Sequence, residues 1–72
     1  MGSRLYRLKI MHPAPLVEET LQQYCQGTLG SLSLARRTAE AIDLLFPGGK
    51  VELVSIQHVP FYAEIPVTWR GK

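Results

Sequence analysis

Few side chains in this chain could do chemistry, and they are scattered. His12 closes an alternating segment beside Pro13 and Pro15, and His58 closes another beside Pro60, with Tyr62 just behind it. Neutral imidazoles near pH 7 serve as bases or metal ligands. If the two segments lie parallel, both histidines fall on the carboxyl edge of the sheet, where ligands gather in parallel sheets. His12, His58 and Tyr62 would then form a polar cluster. No Ser or Asp stands in an orienting role, so the plainer reading is two ordinary strand-end histidines, and no catalytic residue is assigned.

The other candidates resolve into structure more readily than into chemistry. Cys25 is the single cysteine. It rules out a disulfide within the chain, and no cation within a helical turn would activate its thiol. No Cys/His set has zinc spacing, so neither a metal nor a cofactor is expected. Glu18 and Glu19 diverge by about 100° on a helix and do not converge as an acid–base pair. Glu40 and Asp43 share a face, and with Arg36 and Arg37 close by they read as a salt-bridged solvent face.

Gly27-Thr28-Leu29-Gly30-Ser31 precedes a helix but lacks the Lys-Ser/Thr ending of a phosphate loop. The free amides of a helix start can still hold an anion. Arg36 and Arg37 lie a turn further on, and Arg4, Arg7, Lys9 and Arg70 complete a basic set that could meet an anion or a nucleic acid. Such charges are otherwise solvated surface. The net charge of +2 names no partner.

These residues ride on a clear order of elements. Arg4–Met11 alternates, with Tyr6, Leu8 and Ile10 on one face and Arg7 and Lys9 on the other, as a half-buried strand does. Pro15 or Leu16 opens a first helix, which Gly27 ends. Gln22–Gln26 could instead extend as a strand. Ser31 or Ser33 caps a second helix. There Ala35, Thr38, Ala39, Ile42, Leu45 and Phe46 form an apolar stripe, and Pro47-Gly48-Gly49 stops it. Lys50–Val59 is apolar on both sides, as a central strand is. Beyond Pro60, Phe61, Ala63, Ile65, Val67 and Trp69 alternate with polar neighbours. Pro66 places that strand at an edge or a bulge.

The predicted fold is α+β: one domain over residues 1–72, order β-α-α-β-β, with both helices on one face of a three-stranded sheet. Strands one and two are expected to be parallel across a right-handed helical crossover. Strands two and three should pair antiparallel, although no Gly or Asn marks the reversal, so the third could start late or reach toward another subunit. From Tyr6 to Phe46 the order of elements resembles the small RelE/ParE-type toxins, in which a strand leads to a helical hairpin and then to antiparallel strands. That resemblance implies an action directed at nucleic acid. Only two strands follow the helices here, and their Arg, Lys, Tyr and His residues match no toxin set.

Seventy-two residues bury a thin core, worth about 3–5 kcal/mol, and small folds of this kind need a staple. With disulfide and metal excluded, self-association or docking on a larger partner is left. The expected interface is the uncovered sheet face and third strand: Arg7, Lys9, Met11, Val54, Ile56, Tyr62 and Trp69. The leading expectation is a non-catalytic binding or regulatory module acting on a protein partner or on itself. A nucleic-acid-directed binder comes second, and a small enzyme using His12 and His58 third. The start of the chain carries no apolar signal core, and no segment approaches the roughly 18 apolar residues of a membrane span. A soluble, cytoplasmic protein is expected.

Overall fold

The computed structural model describes residues 4–70. Residues 1–3 and 71–72, including the Met1 start and the basic Lys72, lie outside the described residues. Five elements follow one another: β1 (Leu5–Met11), α1 (Pro15–Tyr24), α2 (Leu32–Leu45), β2 (Lys50–Gln57) and β3 (Ala63–Val67). The expected α+β order is present. Ser31 caps α2, its Oγ accepting from the Leu34 amide at 3.2 Å. Residues 22–24 are helical, so the strand alternative for that segment falls.

One expectation is corrected. The sheet order is β1-β2-β3, and β1 pairs with β2 antiparallel, not parallel, with Leu8 opposite Leu53. The cause is the number of helices between them. α1 carries the chain back from the end of β1 to its beginning, where Leu29 bridges Tyr6. α2 then climbs again, so β2 starts beside Met11 and must run downward. A single helix would have returned the chain for a parallel strand. Gly48, at φ +95°, makes the turn into β2, and Gly49 passes so close to Met11 that an added Cβ would stand 2.6 Å from its carbonyl oxygen.

β2 is central, as its two-sided apolar pattern implied. β3 begins only at Ala63 and pairs with β2 antiparallel inside this chain, so it does not leave the sheet. The reversal occupies residues 58–62 and includes a cis Val59–Pro60 bond.

Both helices cover one face. Tyr6, Leu8 and Ile10 of β1 and Val51 and Leu53 of β2 pack with Leu21, Cys25, Ala35, Ala39 and Ile42. Leu8 and Leu53, opposite each other, are each 1% exposed and anchor this core. Truncating such a residue to alanine costs about 2–5 kcal/mol. The small Ala35 and Ala39 let α2 approach the sheet closely. Yet α1 and α2 stand apart along the strands: no Cα of one comes within 8 Å of the other's. The helical layer is open down its middle.

Candidate functional site

The sheet face away from the helices carries Arg7, Lys9 and Met11 from β1, Val54 and Ile56 from β2, and Glu64 from β3. It is closed by its own charges. Glu64 accepts from Lys9 through Oε1, and from Tyr62 at 2.7 Å and Arg7 at 3.3 Å through Oε2. Those bonds, the Lys9 bond first, hold the Glu64 carboxyl below its ordinary range. Glu64 in turn raises Lys9 and Tyr62, chiefly by the same hydrogen bonds. Val54 lies between Arg7 and Pro66, and Ile56 between Leu5 and Glu64. Both are buried within this chain, at 3% and 8% exposure. They point to the expected side but are not on its surface. Met11 and Tyr62 remain about half exposed.

Trp69 is held elsewhere. Its indole Nε1 donates to the Val51 carbonyl at 3.0 Å, just past the end of β3, where a longer strand would have bonded. Arg70 stacks on this ring at 4.8 Å and pairs with Asp43 of α2 at 3.2 Å. Asp43 therefore ties the tail to the helix, and, against the expected salt-bridged face, neither Arg36 nor Arg37 makes an ion pair among the described residues. Of the basic set, Arg7, Lys9 and Arg70 have acidic partners. Arg4, Arg36 and Arg37 have none within 4 Å among the described residues.

The two histidines do not meet. With β1 and β2 antiparallel, His12 and His58 stand at opposite ends of the sheet, about 20 Å or more apart. His12 is a bracket: Nδ1 accepts from the Ala14 amide at 3.0 Å, while Nε2 faces the Pro47 carbonyl at 3.3 Å. This pattern fits a neutral ring protonated on Nε2. His58 packs edge-on against Tyr62, ring centroids 5.5 Å apart. No group of three or more His, Cys, Asp or Glu converges as a metal site among the described residues. Cys25 is buried, which raises its thiol pKa and leaves it inert.

Neither free edge of the sheet invites another strand. The amide and carbonyl of Tyr6 turn outward to Leu29, both at 2.8 Å. Next along the edge, the Gln22 carboxamide accepts from the Ile10 amide at 2.8 Å and donates to the Leu8 carbonyl at 3.2 Å, replacing the peptide group of a missing strand. Glu18 then accepts from the His12 amide at 2.9 Å. On the other edge, strand alternation turns Ala63, Ile65 and Val67 inward to β2 and Pro66 outward. The missing N–H of Pro66 thus faces solvent and blunts that edge.

Sequence reasoning did not see Glu64, Gln22 or Glu18 in these roles. In sequence Glu64 is one polar residue of an alternating strand, and Gln22 opens a segment that could equally extend as a strand. The spacing of Glu18 and Gln22, four residues apart on one side of α1, was the available signal.

Two apolar areas remain open: the turn between β2 and β3, where Val59, Phe61 and Ile65 are exposed beside a hollow of about 440 Å³, and the helical side. A groove of about 510 Å³ runs between α1 and α2, floored by Leu21 and Ile42 and walled by Tyr24, Leu34, Thr38 and Leu45. A second hollow, against Leu8 and Leu29, adjoins it and shares Tyr24, Leu34 and Thr38. No family model, no curated protein and no solved structure matches the chain. No helix among the described residues is long and apolar enough to cross a membrane.

Proposed function

We propose that this chain is a non-catalytic protein-binding module, acting as a homodimer or an accessory subunit, and that it binds through its helical side. The groove between α1 and α2 carries this reading. Strand edges are blunted and the charged sheet face is neutralised internally, whereas Tyr24, Leu34 and Leu45 stand uncovered around this concavity, the larger of the two with exposed apolar walls. Monomeric proteins seldom leave such a patch without a use. The two histidines lend no support to an enzyme, being far apart and, at His12, occupied by backbone partners.

The test is a photo-crosslinking amino acid placed at Leu34 in one chain and at Met11 in another, irradiated in the native host. A discrete protein adduct from position 34 and none from position 11 is expected, whether the captured chain is foreign or a copy. Adducts from position 11 alone, or from neither, overturn the reading.

Arg4, Arg36 and Arg37 favour a second reading, a nucleic-acid-directed binder of the kind the RelE/ParE outline implies, since these cations have no acidic partner among the described residues. Phosphate binding must weaken steeply with salt. Oligonucleotide anisotropy that shows no binding, or binding flat in salt, removes it.

A further inference from the structure

We infer that the occupant of the α1/α2 groove is the same face of a second copy of this chain, related by a two-fold axis that lays α1 of each protomer over α2 of the other. The inference rests on the protein-binding reading and names its partner.

Helical geometry, at about 100° per residue, assigns each side of the two helices. On α1, Glu18 and Gln22 turn to the β1 edge and Leu21 to the core. Leu16, Glu19 and Tyr24 are left to face solvent and groove. On α2, Ala35, Ala39 and Ile42 face the core, and Asp43 points to Arg70 beside β3. Arg36 and Glu40 share the Asp43 side. Leu34, Arg37, Ala41, Leu44 and Leu45 are left outward.

The outer helical surface therefore holds five large apolar side chains: Leu16, Tyr24, Leu34, Leu44 and Leu45, which are 75%, 80%, 45%, 79% and 68% exposed. Among them stand Glu19 on α1 and Arg37 on α2, with the exposed Glu40 on the flank of α2 beside Leu44. A surface that meets itself across a dyad must be self-complementary. Laying α1 on the partner's α2 sets Glu19 against Arg37 twice.

Size agrees with this. The molecule is a flat body of 38 × 25 × 16 Å, and a stable interface buries roughly 800 Å² per partner, on the scale of one broad side of such a body. Pairing through the helices would give the thin core a second helical layer. The staple that a chain of this length needs would then come from its own copy.

Sedimentation and light scattering of the full chain test the inference. The expected mass is twice 8.1 kDa at micromolar concentration. Leu44→Asp should yield a monomer with unchanged far-UV circular dichroism. Glu19→Lys and Arg37→Glu should each weaken the dimer roughly tenfold, and the double variant should restore it, because each charge is lost twice across the dyad.

A monomer at every concentration overturns the inference, as does a dimer indifferent to Leu44→Asp and to the charge exchanges. If the chain is monomeric while position 34 still crosslinks a foreign protein, the protein-binding reading survives and the second copy falls. If position 34 captures nothing, both fall.

Discussion

At the residue scale, the polar side chains of this protein spend their bonds on its own backbone and on one another. Glu64 is the clearest case, and it has a pH signature. Its carboxyl is held below the ordinary value of 4.5 in the folded state, so its contribution is complete above that value and is lost as pH falls through the lowered one. Wild type should therefore exceed Glu64→Gln in urea midpoint at pH 7, and the gap should close in acid. An equal gap at both pH values would refute the assignment. Lys9 and Tyr62 are raised, so their contributions vanish only at alkaline pH, above 10. Gly49 makes a second, independent prediction. A methyl group there would meet the Met11 carbonyl at 2.6 Å and the His12 ring at 2.7 Å. Because the carbonyl is backbone, Gly49→Ala should cost about 1–3 kcal/mol in denaturant unfolding.

At the scale of elements, the sequence carried the helices and strands through apolar spacing, while single residue types narrowed the α2 cap to Ser31 or Ser33 and β3 to an edge or a bulge, of which the structure takes Ser31 and the edge. Direction was not legible. The parallel expectation came from treating everything between the first two strands as one crossover, whereas Thr28–Ser31 folds it into a hairpin of two helices. The site was hidden for a related reason. Alternation sorted β1 by face, but β2 is apolar on both sides and gave no direction, and nothing local showed that Arg7, Lys9 and Tyr62 would converge on Glu64 above Val54 and Ile56. Long-range partners leave no period in a sequence. Gln22 offers a test at this scale. Gln22→Ala removes two bonds from the β1 edge, at about 1–2 kcal/mol in all. Amide exchange should accelerate most at Ile10, and the exposed edge should raise the tendency to aggregate. Unchanged protection at Ile10 would show that the carboxamide is dispensable.

At the scale of the whole molecule, the layers are unequal. One side of the sheet is finished with charge, and the other is roofed by two helices that leave a gap. Among the described residues, Leu29 closes the β1 edge and residues 69 and 70 pin the tail, so neither segment spans that gap. If the gap is filled by association, stability should rise with protein concentration. Melting temperature measured over a hundredfold dilution is expected to fall. A value independent of concentration would argue for a protomer complete in itself.

The lodging of Trp69 equips the protein with its own optical reporter. It is the single indole in the chain, bonded to Val51 and covered by a guanidinium. Its emission therefore senses the contact between the tail and the central strand, with no tyrosine-free background needed at red-edge excitation. Detachment of residues 69 and 70 would move that emission to longer wavelength while the helices persisted. Fluorescence set against circular dichroism thus separates loosening of this clasp from collapse of the fold.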